Sequence, residues 1–165
     1  MMKLKLLPRS LAALAITLAS AVALAQGYSA GDVQIQHPYA TPTPPGTKIG
    51  AAYFVSLENR GDKSDRLLRA STSVAASVEV HSGEIGADGV MRMREMEALP
   101  LAPKAILNLR PGQGHHLMLV GLKKPLVEGE SFPMTLEFER GGTVDVKVTV
   151  EVPKDHDASA GAHKH

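Results

Sequence analysis

"GQGHHLMLVGL", residues 112–122, reads as a buried strand that is apolar from Leu117 to Leu122. It follows "PGQG" (111–114), a tight-turn signal, and it opens on two histidines. Side chains alternate between the faces of a strand. His116, Met118 and Val120 therefore share one face, and His115, Leu117 and Leu119 the other. Same-face neighbours stand about 6.6–7 Å apart at Cα. Side chains as long as His and Met can converge on one ion from that distance. A core-like strand with His-x-Met at its rim is thus both a fold signal and a chemical one.

Outward from this strand the chain reads as short runs cut by turn residues. Asp32 to His37 alternates, and "TPTPPG" (41–46) is irregular because proline has no N–H to donate. Ala51 to Glu58 is rich in Tyr, Phe and Val, and "NRGDKSD" (59–65) is a polar loop. Val78 to His81 and Val90 to Met96 flank Asp88-Gly89, a hairpin signal. Ala105 to Leu109, Phe132 to Glu139 and Thr143 to Val152 complete about eight strands, with no sustained helical periodicity and no internal repeat. This spacing predicts an all-β Greek-key β-sandwich or barrel.

The 165 residues suffice for one domain with a real core. The N-terminus reads differently. Met1 to Arg9 carries three basic residues and no acidic one, Leu11 to Leu24 is almost unbroken apolar sequence, and Ala23-Leu24-Ala25 is a small-x-small cleavage site. Residues 1–25 are expected to be a secretory signal peptide, cleaved near Ala25, with no membrane insertion afterwards. The expected organisation is a β domain over 26–152 and a polar tail over 153–165 that reads as disordered. Without the signal, fifteen basic residues face seventeen acidic ones, a net charge of −2. That balance argues against nucleic acid or an anionic membrane as partner. The absence of cysteine excludes a thiolate nucleophile, a thiolate zinc site and a blue-copper site, and with no cysteine after the cleavage site a lipoprotein anchor is not expected.

A second candidate cluster lies in the hairpin. In "VMRMREM" (90–96) Met91 and Met93 share a face, and in "VEVHS" (78–82) Glu79 and His81 do. Four of the five methionines outside the signal segment (91, 93, 96 and 118) lie near these histidines. Thioether and imidazole suit Cu(I), whereas zinc prefers thiolate, imidazole or carboxylate. A His/Met set free of cysteine and carboxylate points to Cu(I). A strand methionine also reads as a core filler and a lone histidine as a hydrogen-bonded structural residue. For His37 and His115 the structural role is expected. For His81, Met93, His116 and Met118 the residues alone leave ligand and structural roles side by side. The segments "MRM" and "HLM" are expected to be paired strands, with Met91 and Met96 as core or supporting residues.

Residues 31–152 resemble the periplasmic copper chaperones of the PCu(A)C family, a cupredoxin-like fold. The similar stretches are "TPPGTKIGAAYF" (43–54), "VEVHS" (78–82), "DGVMRMREME" (88–97) and "LRPGQGHHLMLVGLKKPL" (109–126). The family motif is a His, about eleven residues, a Met, about twenty-two residues, then His-x-Met. Here eleven residues separate His81 from Met93 and twenty-two separate Met93 from His116, with Met118 closing the motif. The resemblance implies that His81, Met93, His116 and Met118 bind Cu(I). It also implies delivery toward the CuA centre of cytochrome c oxidase subunit II, directly or with a thioredoxin-like Sco partner, in the periplasm and without enzymatic activity. Some relatives carry an extra Met just after the first His; this chain has Ser82 there. A copper-buffering or resistance protein, a metal-free assembly module and a copper oxidase are the competing classes. Outside the motif, the tail holds His156, His163 and His165 beside Asp155 and Asp157. That composition suits a second site for Cu(II).

Overall fold

The computed structural model describes residues 27–153 except Gln113. The signal-peptide segment and the tail histidines His156, His163 and His165 lie outside the described residues. The described residues form eleven strands: β1 (Gly27–Ala30), β2 (Val33–Ala40), β3 (Ile49–Asn59), β4 (Asp65–Thr72), β5 (Ser77–Ile85), β6 (Met91–Met96), β7 (Leu99–Leu101), β8 (Ile106–Leu109), β9 (His115–Val120), β10 (Ser131–Phe138) and β11 (Gly142–Val150). The described residues contain no helix. The strands form one curled sheet in the order β6-β5-β9-β3-β2-β11-β10-β4-β7, with β1 added to β2 and β8 to β3. Every pairing is antiparallel except β2 with β11. The fold is the expected all-β, cupredoxin-like barrel.

Period-two patterning places the core. In β9, Leu117 and Leu119 are fully buried while His116, Met118 and Val120 are not. Partners on the inner face include Ala52, Phe54, Val80, Leu136 and Val148. Shortening either β9 leucine to Ala would cost about 2–5 kcal/mol through lost burial and the remaining cavity.

Three strands lie outside the eight read from sequence: β1, β4 and β7. β4 is concealed because Leu67-Leu68 interrupts its alternation and because it begins on an acidic residue that is buried. Asp65 is only 5% exposed, yet it accepts hydrogen bonds from the backbone N–H groups of Arg66, Arg140 and Gly141. These bonds offset the cost of burying its charge.

The β5–β6 hairpin follows the Asp88-Gly89 signal. The Gly86 N–H donates to the Val90 carbonyl (3.0 Å) and the Gly89 N–H to the Gly86 carbonyl (2.9 Å). The three-residue loop needs a left-handed residue at its end, and Gly89 supplies it at φ +75°. β6 is an edge strand, exposed from Met91 to Glu95. The charges of Arg92, Arg94 and Glu95 discourage edge-to-edge association.

One expected pairing is corrected here. "MRM" in β6 and "HLM" in β9 are not paired. β5 lies between them and pairs with both. The cause is the short hairpin, which ties β6 to β5 and leaves only β5's other edge for β9.

Candidate metal centre

β5 organises the site. Its register sets His81 opposite His116 of β9 and Glu79 opposite Met118. On its other side Gly83 faces Met93 and Ile85 faces Met91 of β6. Directly opposed residues share a face, so Glu79, His81, Met91, Met93, His116 and Met118 all project to one side of three adjacent strands. That side is the reverse of the one bearing Leu117 and Leu119. The His81 and His116 rings lie 5.5 Å apart between centroids, tilted by 44°. An ideal β-carbon on Gly83 would stand 3.3 Å from Met93 Sδ, so this sulfur leans across onto β5 at the same-face position next after His81.

The backbone fixes where β9 begins. Gly114 takes a left-handed φ of +56°, and its carbonyl accepts the Gly83 N–H at 2.7 Å. This bond extends the β5–β9 ladder one step past Ser82 and His115, holding the His116 end of β9 in register.

His81 is well enclosed, with 12% of its side chain exposed. Its Nε2 lies 2.9 Å from Glu79 Oε2. An ionised carboxylate only accepts, which assigns the hydrogen of the neutral ring to Nε2 and leaves the lone pair on Nδ1. Nδ1 is buried and has no hydrogen-bond partner, a condition it shares with Nδ1 of His115 on the opposite face. A buried acceptor with nothing to accept is costly, and a metal ion is one way to satisfy it. Histidine ligands commonly donate their other N–H to a carboxylate in this way. The residues present therefore fit a soft metal: two imidazoles, two thioethers and one orienting carboxylate.

Glu79 adds a carboxylate that touches His81 beside the expected His/Met set without joining it. Its signal was present, since it stands two residues before His81 and so on the same face. Among the described residues no three His, Cys, Asp or Glu side chains cluster as a metal site. A site of harder donors alone is thus absent there.

Burial holds the His116 imidazole below the ordinary histidine pKa, with neighbouring His81 and His115 adding to the shift. The ring therefore gives up its proton, and frees its lone pair, more readily than an ordinary imidazole. Tyr53 supports it, at 6.4 Å between centroids, and Tyr39 stacks behind Tyr53 at 5.3 Å.

The remaining sequence candidates separate. His115 faces Ser82 and projects to the opposite side from His116. His37 binds Glu151 at 2.7 Å, a structural tie between β2 and the segment after β11. Met96 packs against the core, as expected. Met91 does not; it is 40% exposed, with Sδ close to Gly83.

An all-β barrel bearing imidazole and thioether groups on neighbouring strands presents donors of the kind a soft metal ion prefers. The comparisons with known proteins narrow this. Residues 33–150 match the family model described as "Putative lipoprotein LpqE-like", and the chain belongs to this LpqE-like family. It is similar to "Putative lipoprotein Lxx21020" of Leifsonia xyli subsp. xyli, 34% identical over 101 residues, 61% of this chain. The match spans 60% of the length of that relative. Among solved structures it is similar to the copper-bound PCuAC domain from PmoF2, at 29% identity and TM-score 0.65, covering 77% of this chain and 98% of that one. It is also similar to CuI-DR1885 from Deinococcus radiodurans, at 32% identity and TM-score 0.57, covering 78% and 83%.

Proposed function

We propose that the chain is an exported copper metallochaperone of the periplasm. It takes up one Cu(I) at His81, Met93, His116 and Met118 and delivers it toward the CuA centre of cytochrome c oxidase subunit II, directly or through a thioredoxin-like Sco partner. The observation that carries this reading is the opposition of His81 and His116 across β5 and β9, with the Met93 sulfur of β6 lying over Gly83 on the same face. The copper-bound state of a relative with the same fold supports it. The chemistry is ligand exchange. Imidazole and thioether hold Cu(I) without a thiolate, so a thiolate-bearing acceptor can take the ion through shared ligands. The face offers no nucleophile with an adjacent base, which argues for a carrier and not an enzyme.

The three tail histidines favour one further reading, a periplasmic copper buffer without a dedicated acceptor. Anaerobic Cu(I) titration followed by mixing with apo subunit II separates the two. One equivalent bound and then passed on is the expected result. Copper bound but retained would favour the buffer, and failure to bind Cu(I) would sink both.

A further inference from the structure

Met91 lies outside the four-residue motif, and the fold gives it no packing role. The core methionine Met134 is 1% exposed, whereas Met91 and Met93 are 40% and 49% exposed. Leaving apolar side chains in water is unfavourable, so packing does not explain their exposure. Their sulfurs are not scattered. An ideal β-carbon on Gly83 would lie 3.3 Å from Met93 Sδ and 3.6 Å from Met91 Sδ. Met91 stands across from Ile85, yet its sulfur reaches back along the strand to the Gly83 position that Met93 faces. The same β-carbon would lie 3.2 Å from the Gly114 carbonyl oxygen, so backbone leaves little room for a side chain there. Two thioether sulfurs thus lie over Gly83, on side chains that are themselves partly exposed, two residues along β5 from His81.

We infer that Met91 is a fifth copper-binding side chain, serving transfer and not storage: with Met93 it forms the sulfur pair through which Cu(I) enters and leaves the site. This inference rests on the copper-binding reading above. Two soft donors at the surface can hold an incoming Cu(I) while its outside ligand is still attached. Met93 then carries the ion inward as the imidazoles bind, and Met91 lets go. Release runs through the same steps in reverse. Throughout, one Cu–ligand bond forms as another breaks, the metal remains Cu(I), and no electron moves. A donor that binds only during passage changes rates and leaves affinity nearly untouched. Because affinity is the ratio of the two rates, uptake and release must slow by the same factor.

The test is Met91→Leu in the full chain, which keeps the volume and removes the sulfur. Cu(I) affinity is measured by anaerobic chelator competition, and release by stopped flow into excess bathocuproine disulfonate, with Met93→Leu alongside. Methyl-13C-methionine spectra report the fold through buried Met134. The expected result is release slowed at least fivefold, with affinity within about threefold of the unsubstituted chain. Release at the unsubstituted rate overturns the inference. An affinity loss equal to that of Met93→Leu also overturns it, because Met91 would then be a resident ligand. If the unsubstituted chain binds no Cu(I), the copper reading itself fails, which the first titration shows before any variant is made.

Discussion

His81 and His116 stand directly opposite each other on β5 and β9, with ring centroids 5.5 Å apart. An antiparallel pairing thereby does what 34 intervening residues of sequence cannot: it brings two imidazoles within one metal's reach. Neither strand could slip by one residue without sending its histidine to the core side.

Met118 shares the face of His116 and lies across from Glu79. Met118→Ile should keep the fold, since it preserves an apolar side chain at a half-buried position. Cu(I) binding should weaken at least tenfold, about 1.4 kcal/mol. Unchanged affinity in a chelator competition would remove Met118 from the ligand set.

His115 and His116 are sequence neighbours on opposite faces of β9. His116→Ala should abolish tight Cu(I) binding, and His115→Ala should leave it within a few fold. Equal losses in the same titration would mean that the start of β9 rearranges when metal binds.

Glu79 should act through His81. Glu79→Ala removes the acceptor that keeps the hydrogen on Nε2, and Cu(I) affinity should fall about tenfold. Glu79→Gln, whose amide oxygen can still accept, should lose much less. Long-range 15N–1H spectra should show the Nε2–H tautomer of His81 in the unsubstituted chain and in Glu79→Gln. Finding the Nδ1–H tautomer in both would sink this role.

The depressed pKa of His116 links pH to stability. The unfolded chain takes up the His116 proton near about pH 6.5, while the folded chain resists it because the ring is partly buried beside Tyr53, His81 and His115. Protons therefore bind the unfolded state preferentially, and the contribution present above about 6.5 is lost as pH falls toward the lower folded value. Urea melts of the metal-free protein should show stability declining through this window, less steeply in His116→Gln. An NMR midpoint for His116 at or above 6.5 would contradict this.

The tail is testable by truncation. A chain ending at Pro153 should keep its Cu(I) affinity and lose a separate Cu(II) site formed by His156, His163 and His165. That site in the intact chain should fade below about pH 6.5, because protonated imidazole does not ligate. Unchanged Cu(II) stoichiometry after truncation would show that these histidines hold no copper.

What was legible in the sequence was whatever a period of two could carry. β9 shows itself by its leucines, and its other face follows at once. The family resemblance singles out His81, Met93, His116 and Met118, and the sheet sets these four on one face together with Glu79 and Met91. Strand order was not legible. It depends on pairing between distant segments, so β5's place between β6 and β9 emerges only in three dimensions. β4 was hidden because a buried Asp65, satisfied by three backbone groups, looks like loop sequence until those groups are seen. Glu79 and Met91 obey the alternation rule as well as His81 and Met93 do. Neither has a motif of its own, and only the contacts at His81 Nε2 and above Gly83 give them a role.

The side chains gathered by β5, β6 and β9 occupy the outer surface of a sheet whose inner surface is already sealed by Leu117, Leu119 and Val80. Cargo and architecture are thus kept on separate sides of the same three strands. In small zinc domains metal binding and folding are one event, and loss of the ion is loss of the protein. Here the barrel has its own core, so an ion can depart without unravelling anything. On the proposed reading, the emptied molecule would be ready to load again, and a few copies would serve many acceptors in succession.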